Sequence, residues 1–82
     1  MKLELYQSVA LSQDIPEHQL KKGDIVTLVD YAQHPNGGED GYVLEVFNAV
    51  GDSILVLALP MSYVEPLRAN ELLTVRAISE EA

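Results

Sequence analysis

Ile25-Val26-Thr27-Leu28-Val29-Asp30-Tyr31 is the stretch on which the fold of this chain turns. It is rich in β-branched side chains, which lose rotamer freedom in a helix and fit a pleated surface, so it reads as a strand. A period of two sets Ile25, Thr27, Val29 and Tyr31 on one face and Val26, Leu28 and Asp30 on the other. Leu20-Lys21-Lys22-Gly23-Asp24 leads into it as a turn, with Gly23 placed to take a positive φ that other residues avoid. His34-Pro35-Asn36-Gly37-Gly38-Glu39-Asp40-Gly41 follows it, and so many turn formers in succession hold neither a helix nor a ladder.

Working outward, residues 42–48 read as a second strand, Ala49-Val50-Gly51-Asp52 as a turn and residues 53–59 as a third strand, which makes a hairpin. Pro60 ends that strand. Residues 61–64 predict a short 3₁₀ turn, after which Glu65-Pro66-Leu67-Arg68 runs extended. Residues 72–78 have enough β-branched character for a final strand, and Glu80 and Glu81 form an acidic, frayed end. Toward the N-terminus, residues 3–11 alternate loosely and fit a first strand or a turn of helix. Pro16 removes a donor and biases Ile15 toward extended geometry, which makes residues 12–16 a loop. Short strands between Gly and Pro turns, with no helix of useful length, predict a small barrel or two packed sheets. The alternative is an open antiparallel sheet with an N-terminal helix.

A chain of 82 residues holds one domain. With 48% hydrophobic and 22% charged residues, it has the composition of a folding chain rather than a disordered one. It contains no cysteine, so disulfides and thiolate zinc sites are excluded. His18 and His34 alone cannot close a four-ligand site. A thin core of this size then leaves oligomerisation or a partner chain as its supplement. The N-terminus lacks the basic, apolar and cleavable pattern of a secretory signal, and the longest apolar run falls far short of the roughly 20 residues that span a bilayer. The expectation is a soluble, cytoplasmic protein with no membrane contact. The net charge is −8, with basic residues scattered at Lys2, Lys21, Lys22, Arg68 and Arg76. That balance repels nucleic acid and attracts a basic protein.

Three segments carry a family resemblance: Asp14-Ile15-Pro16-Glu17, the run from Leu20-Lys21-Lys22-Gly23-Asp24 through Val29, and Leu44-Glu45-Val46-Phe47-Asn48 followed by Gly51. On them the chain resembles an uncharacterised family of short bacterial proteins, largely cyanobacterial, catalogued as a domain of unknown function. The likeness covers residues 3–68, and its most specific parts are the Ile-Pro-Glu and Leu-Lys-Lys-Gly-Asp stretches. It implies a mainly β fold, a small SH3-like barrel of five or six short antiparallel strands spanning residues 1–82. It also implies kinship with accessory or docking subunits, and it supplies no catalytic residues. Val26 stands where related barrels often have Gly, and the tail after Arg68 lies outside the likeness.

Candidate chemistry is sparse. Asp30, His34, Glu39 and Asp40 bracket the Gly-rich loop and offer oxygen and nitrogen donors to a divalent cation, but their spacing matches no calcium loop and reads as solvated charge. His18 or His34 as a general base lacks a nucleophile with matched neighbours. Gly37, Gly38 and Gly41 lack the Lys and helix start of a phosphate loop and read as turn glycines. No cofactor and no enzyme activity are expected. The informative segment is Ile54-Leu55-Val56-Leu57-Ala58-Leu59, apolar on both faces. A barrel has one interior, so one set must be covered by the N-terminal segment or C-terminal strand, by a second copy, or by a partner. Tyr42 and Phe47 fall on opposite faces of the adjacent strand, so an aromatic lies outside the core. The candidate protein-binding residues are Tyr42, Phe47, Leu55, Leu57 and Leu59. The expected function is a non-catalytic protein-binding module, the acidic antitoxin-like partner of a basic protein. The alternatives are an accessory or docking subunit of an enzyme or electron-transfer complex, and a small homo-oligomer.

Overall fold

The computed structural model describes residues 3–78, so Glu80 and Glu81 lie outside the described residues. Five strands, β1 (Ser8–Leu11), β2 (Ile25–Ala32), β3 (Gly41–Phe47), β4 (Ser53–Pro60) and β5 (Val64–Pro66), form one antiparallel sheet in the order β4-β3-β2-β1-β5. Two 3₁₀ turns, Pro16–His18 and Met61–Tyr63, complete the regular structure. None of the described helices is long and apolar enough to cross a membrane. The fold is mainly β, as the alternation predicts, but the expected closure is absent: β4 and β5 are the two edges of an open sheet. The 3₁₀ turn after Pro60 redirects the chain, and β5 returns to pair with β1 instead of β4.

The expected last strand is also absent. Residues 72–78 run without a ladder: residues 74–78 pass beside Asp24, Ile25, Phe47 and Ile54 and pair with neither free edge of the sheet. At the other end the strand is Ser8–Leu11, since Tyr6 takes a φ of 67° that breaks the extended run, although the Tyr6 N–H still donates to the Leu28 carbonyl and the Leu28 N–H to the Gln7 carbonyl at 3.0 Å.

One face of the sheet makes the core. Val9, Leu11, Val26, Leu28, Tyr42, Leu44, Val46 and Val64 are buried there with Ile15 and Leu20 from the loop between β1 and β2. That loop is built by two of the three stretches that carry the resemblance, Asp14-Ile15-Pro16-Glu17 and Leu20-Lys21-Lys22-Gly23-Asp24. Ile15 and Leu20 exchange backbone hydrogen bonds at 2.8 and 3.1 Å and point inward. The Asp14 carboxylate accepts the Lys22 N–H at 2.8 Å, and the Asp24 carboxylate accepts the Lys21 N–H at 2.7 Å. Gly23 takes the expected positive φ, +94°, and donates its N–H to the Leu11 carbonyl at 2.8 Å.

The strict alternation read into β2 holds only as far as Leu28. Leu28 pairs with Leu44 and Asp30 with Val43, so Val29 is an extra residue in a bulge. The bulge resets the parity. Tyr31, expected beside Thr27 and Val29, instead faces the core, its ring centroid 6.1 Å from that of Tyr42. Its hydroxyl donates to the Leu3 carbonyl and ties the N-terminal segment to the sheet.

Candidate functional site

Register decides which face of the β3–β4 hairpin is available. Leu55 pairs with Val46, Leu57 with Leu44 and Leu59 with Tyr42, and residues directly opposite in an antiparallel pair share a face. Leu55, Leu57 and Leu59 therefore pack against the buried core, half-buried at the edge strand. Tyr42 is itself a core residue, 3% exposed. Of the sequence-derived candidates, Phe47 alone is exposed, at 41%. The outward set on β4 is Ile54, Val56 and Ala58, with Ile54 46% and Val56 55% exposed. Period-two reasoning separates the two sets of β4 but cannot say which is outside, because both are apolar.

The same registers extend this face across the sheet. Val56 lies beside Glu45 and Thr27, and Ala58 beside Val43 and Asp30. The outer surface thus alternates β-branched side chains with carboxylates, and β2, β3 and β4 contain no Lys or Arg.

Beyond β5 the chain forms a strap that passes back over one end of this face. Arg76 fastens it: its Nε donates to Asp24 Oδ1 at 2.9 Å, and its Nη2 donates both to Asp24 Oδ2 and to the Gln19 carbonyl at 2.8 Å. Gln19 is held at φ 59°, at the end of the first 3₁₀ turn. Partial burial pushes the Asp24 pKa up. The hydrogen bonds from Arg76 and the Lys21 N–H, with the charges on Arg76 and Lys21, outweigh that effect and hold it below the ordinary carboxylate value. A depressed folded-state pKa means the clamp contributes fully at neutral pH and is lost only as pH falls through that lowered value.

Under the strap is a cavity of about 220 Å³, bordered by Leu20, Asp24, Ile25, Phe47, Ile54 and Arg76 among others. Of the strap's apolar side chains that border it, Ile78 is half-buried and Val75 is 89% exposed; Leu72 and Leu73, 92% and 68% exposed, lie away from it. No spacing rule links Arg76 to Asp24 across 52 residues. The only hint in the sequence is a lone Arg in an otherwise uncharged run from Leu72 to Ile78.

The polar loop between β2 and β3 uses its ionisable groups to fix its own backbone and to bind the 3₁₀ turn after β4. His34 Nδ1 accepts the N–H groups of Asn36 and Gly38 at 3.2 and 3.1 Å. Asp40 accepts the His34 N–H, Asp30 accepts the Tyr31 N–H, and Glu39 accepts the N–H and hydroxyl of Ser62. Among the described residues no group of three or more His, Asp or Glu side chains is arranged to hold a metal ion. Gly41 is not a turn glycine. It opens β3, where a Cβ would lie 2.5 Å from the Leu59 carbonyl oxygen.

What is assembled is a mainly β domain with an apolar outer face set among carboxylates. The chain belongs to the family described as Domain of unknown function (DUF4926), which it matches over residues 5–66, so the strap lies beyond the matched part. No curated protein and no solved structure matches it.

Proposed function

We propose that this protein is a non-catalytic binding module that docks a basic protein on the outer face of the β3–β4 hairpin. The observation that supports this is the composition of that face: Phe47, Ile54, Val56 and Val43 lie among Asp30 and Glu45, with no cation in the three strands. Apolar side chains supply the contact energy, and the carboxylates with the net charge of −8 select and steer a positive partner. We further propose that this open sheet is related in topology to the SH3-like barrels. A meander from β1 to β4, a single 3₁₀ turn after β4 and a short β5 that returns to β1 support that reading. A toxin and antitoxin pair is one setting for such a partner, and the discovery of a basic protein encoded beside this one would favour it.

The test is capture from the native host by the tagged protein and by its Val56→Lys variant. Val56→Lys places a cation beside Glu45 on the exposed face, so the fold should persist while the partner's affinity falls at least about tenfold, equivalent to 1.4 kcal/mol. Basic proteins retained by the parent and lost by the variant are the expected result. If both retain the same set, the outer face is not the docking surface.

A further inference from the structure

The groove beneath the strap has its own chemistry. Asp24 and the Gln19 carbonyl together accept three hydrogen bonds from one guanidinium, a planar arrangement that a lysine cannot reproduce. Ile25, Phe47 and Ile54 line the adjoining cavity, which continues the outer face of the hairpin. The present occupant is loosely seated. Arg76 supplies the anchor and Ile78 is half-buried, while Val75, which borders the gap of about 220 Å³, is 89% exposed. Side chains that border a gap forfeit dispersion contacts on that side, so an occupant that fills it gains over one that does not.

We propose that residues 74–78 are a built-in stand-in for an extended, arginine-bearing segment of the partner protein, which displaces the strap and takes its place on Asp24 and the Gln19 carbonyl. This rests on the reading of a basic partner given above. The strap itself is the template for the ligand: an arginine flanked by small and β-branched residues, Thr74-Val75-Arg76-Ala77-Ile78. Competition by the tethered strap sets a threshold that weakly basic or poorly fitting segments do not pass. The strap lies outside the part of the chain matched to the family, and none of its residues pairs with a strand.

The test uses the full chain, isotopically labelled, as parent and as Arg76→Glu, titrated with a blocked peptide of the sequence Leu-Leu-Thr-Val-Arg-Ala-Ile. In the Arg76→Glu protein the strap is repelled from Asp24. The peptide should then shift the amides of Asp24, Ile25, Phe47 and Ile54 and bind at least tenfold more tightly than to the parent. A peptide with Glu in place of its Arg should not bind. The Arg76→Gln protein repeats the test should Arg76→Glu disturb folding, which the urea midpoint reports. Equal or absent binding by parent and variants overturns the proposal, as do shifts confined to other parts of the sheet. A concentration-dependent doubling of mass in the parent, abolished by Arg76→Glu, assigns the groove to a second copy's strap and also overturns it. Sensitivity of partner capture to Val56→Lys is read separately, so the groove can fail while the outer face stands.

Discussion

Gly23 and Gly41 are both needed, for different reasons. Gly23 sits at φ +94°, and a Cβ built there meets nothing within 4 Å, so a side chain costs backbone strain alone. Gly23→Val should destabilise by about 1–3 kcal/mol. Gly41 has no positive φ, but its Cβ would press on the Leu59 carbonyl where β3 meets β4. Gly41→Ala should cost a similar amount, about 1–3 kcal/mol, by forcing the strands apart. Asn tolerates the left-handed region better than most residues, so Gly23→Asn should recover part of the loss, whereas Gly41→Asn should not. Urea midpoints at constant m-value distinguish the two mechanisms, and an unchanged midpoint for either first substitution refutes its account. Gly23 was legible in the sequence because Leu-Lys-Lys-Gly-Asp must turn into a strand. Gly41 was not, because close approach of another backbone leaves no local mark.

At the level of the strand, β4 offers the sharpest contrast in the molecule. Leu57 faces Leu44 and the core, and Val56 faces outward beside Glu45. An unpaired charge on the inner face costs about 3 kcal/mol, a large share of the 5–15 kcal/mol that holds a typical domain. Leu57→Glu should therefore unfold or nearly unfold the protein. Val56→Lys gains an opposite-charge cross-strand pair with Glu45 and should change stability by less than about 1 kcal/mol. Circular dichroism melts of the two variants give the answer, and a Val56→Lys chain that unfolds would place both faces of β4 inside. The two sets were visible in the sequence because the side-chain period is two. The bulge at Val29 was not, since one added residue flips the parity without changing composition, and Tyr31 moved to the core as a result. Residues 72–78 fail as a strand for a related reason: propensity describes fit to a pleated surface, not whether the chain is led to an edge, and the free edges of β4 and β5 stay unpaired with the tail. The candidate site was therefore half legible. Its location on the hairpin could be read, whereas its outward residues and the Arg76 clamp depend on register and on contacts far apart in sequence.

Charge is a property of the whole molecule, and the structure sharpens what the composition implies. The net charge is −8, and the two arginines are paired with carboxylates. Arg68 lies 3.2 Å from a Glu65 carboxylate oxygen, and Arg76 is clamped to Asp24. Lys21 and Lys22 occupy the turn whose backbone N–H groups are bound by the carboxylates of Asp24 and Asp14. Affinity for duplex DNA grows with the number of phosphates neutralised, because each neutralisation releases condensed counterions. A surface that neutralises one or two phosphates therefore gains little. Here the carboxylates of Asp14 and Asp24 stand beside the only adjacent pair of lysines, and the outer face of the hairpin adds Asp30 and Glu45. The protein should show no measurable retention of duplex DNA in a mobility-shift assay at physiological salt, and lowering the salt to about 50 mM should not reveal a steep rise in binding. A complex whose stability falls with salt along the slope expected for several phosphate contacts would mean that the field of this molecule is not the one its carboxylates set, and the preference for a basic protein partner would fall with it.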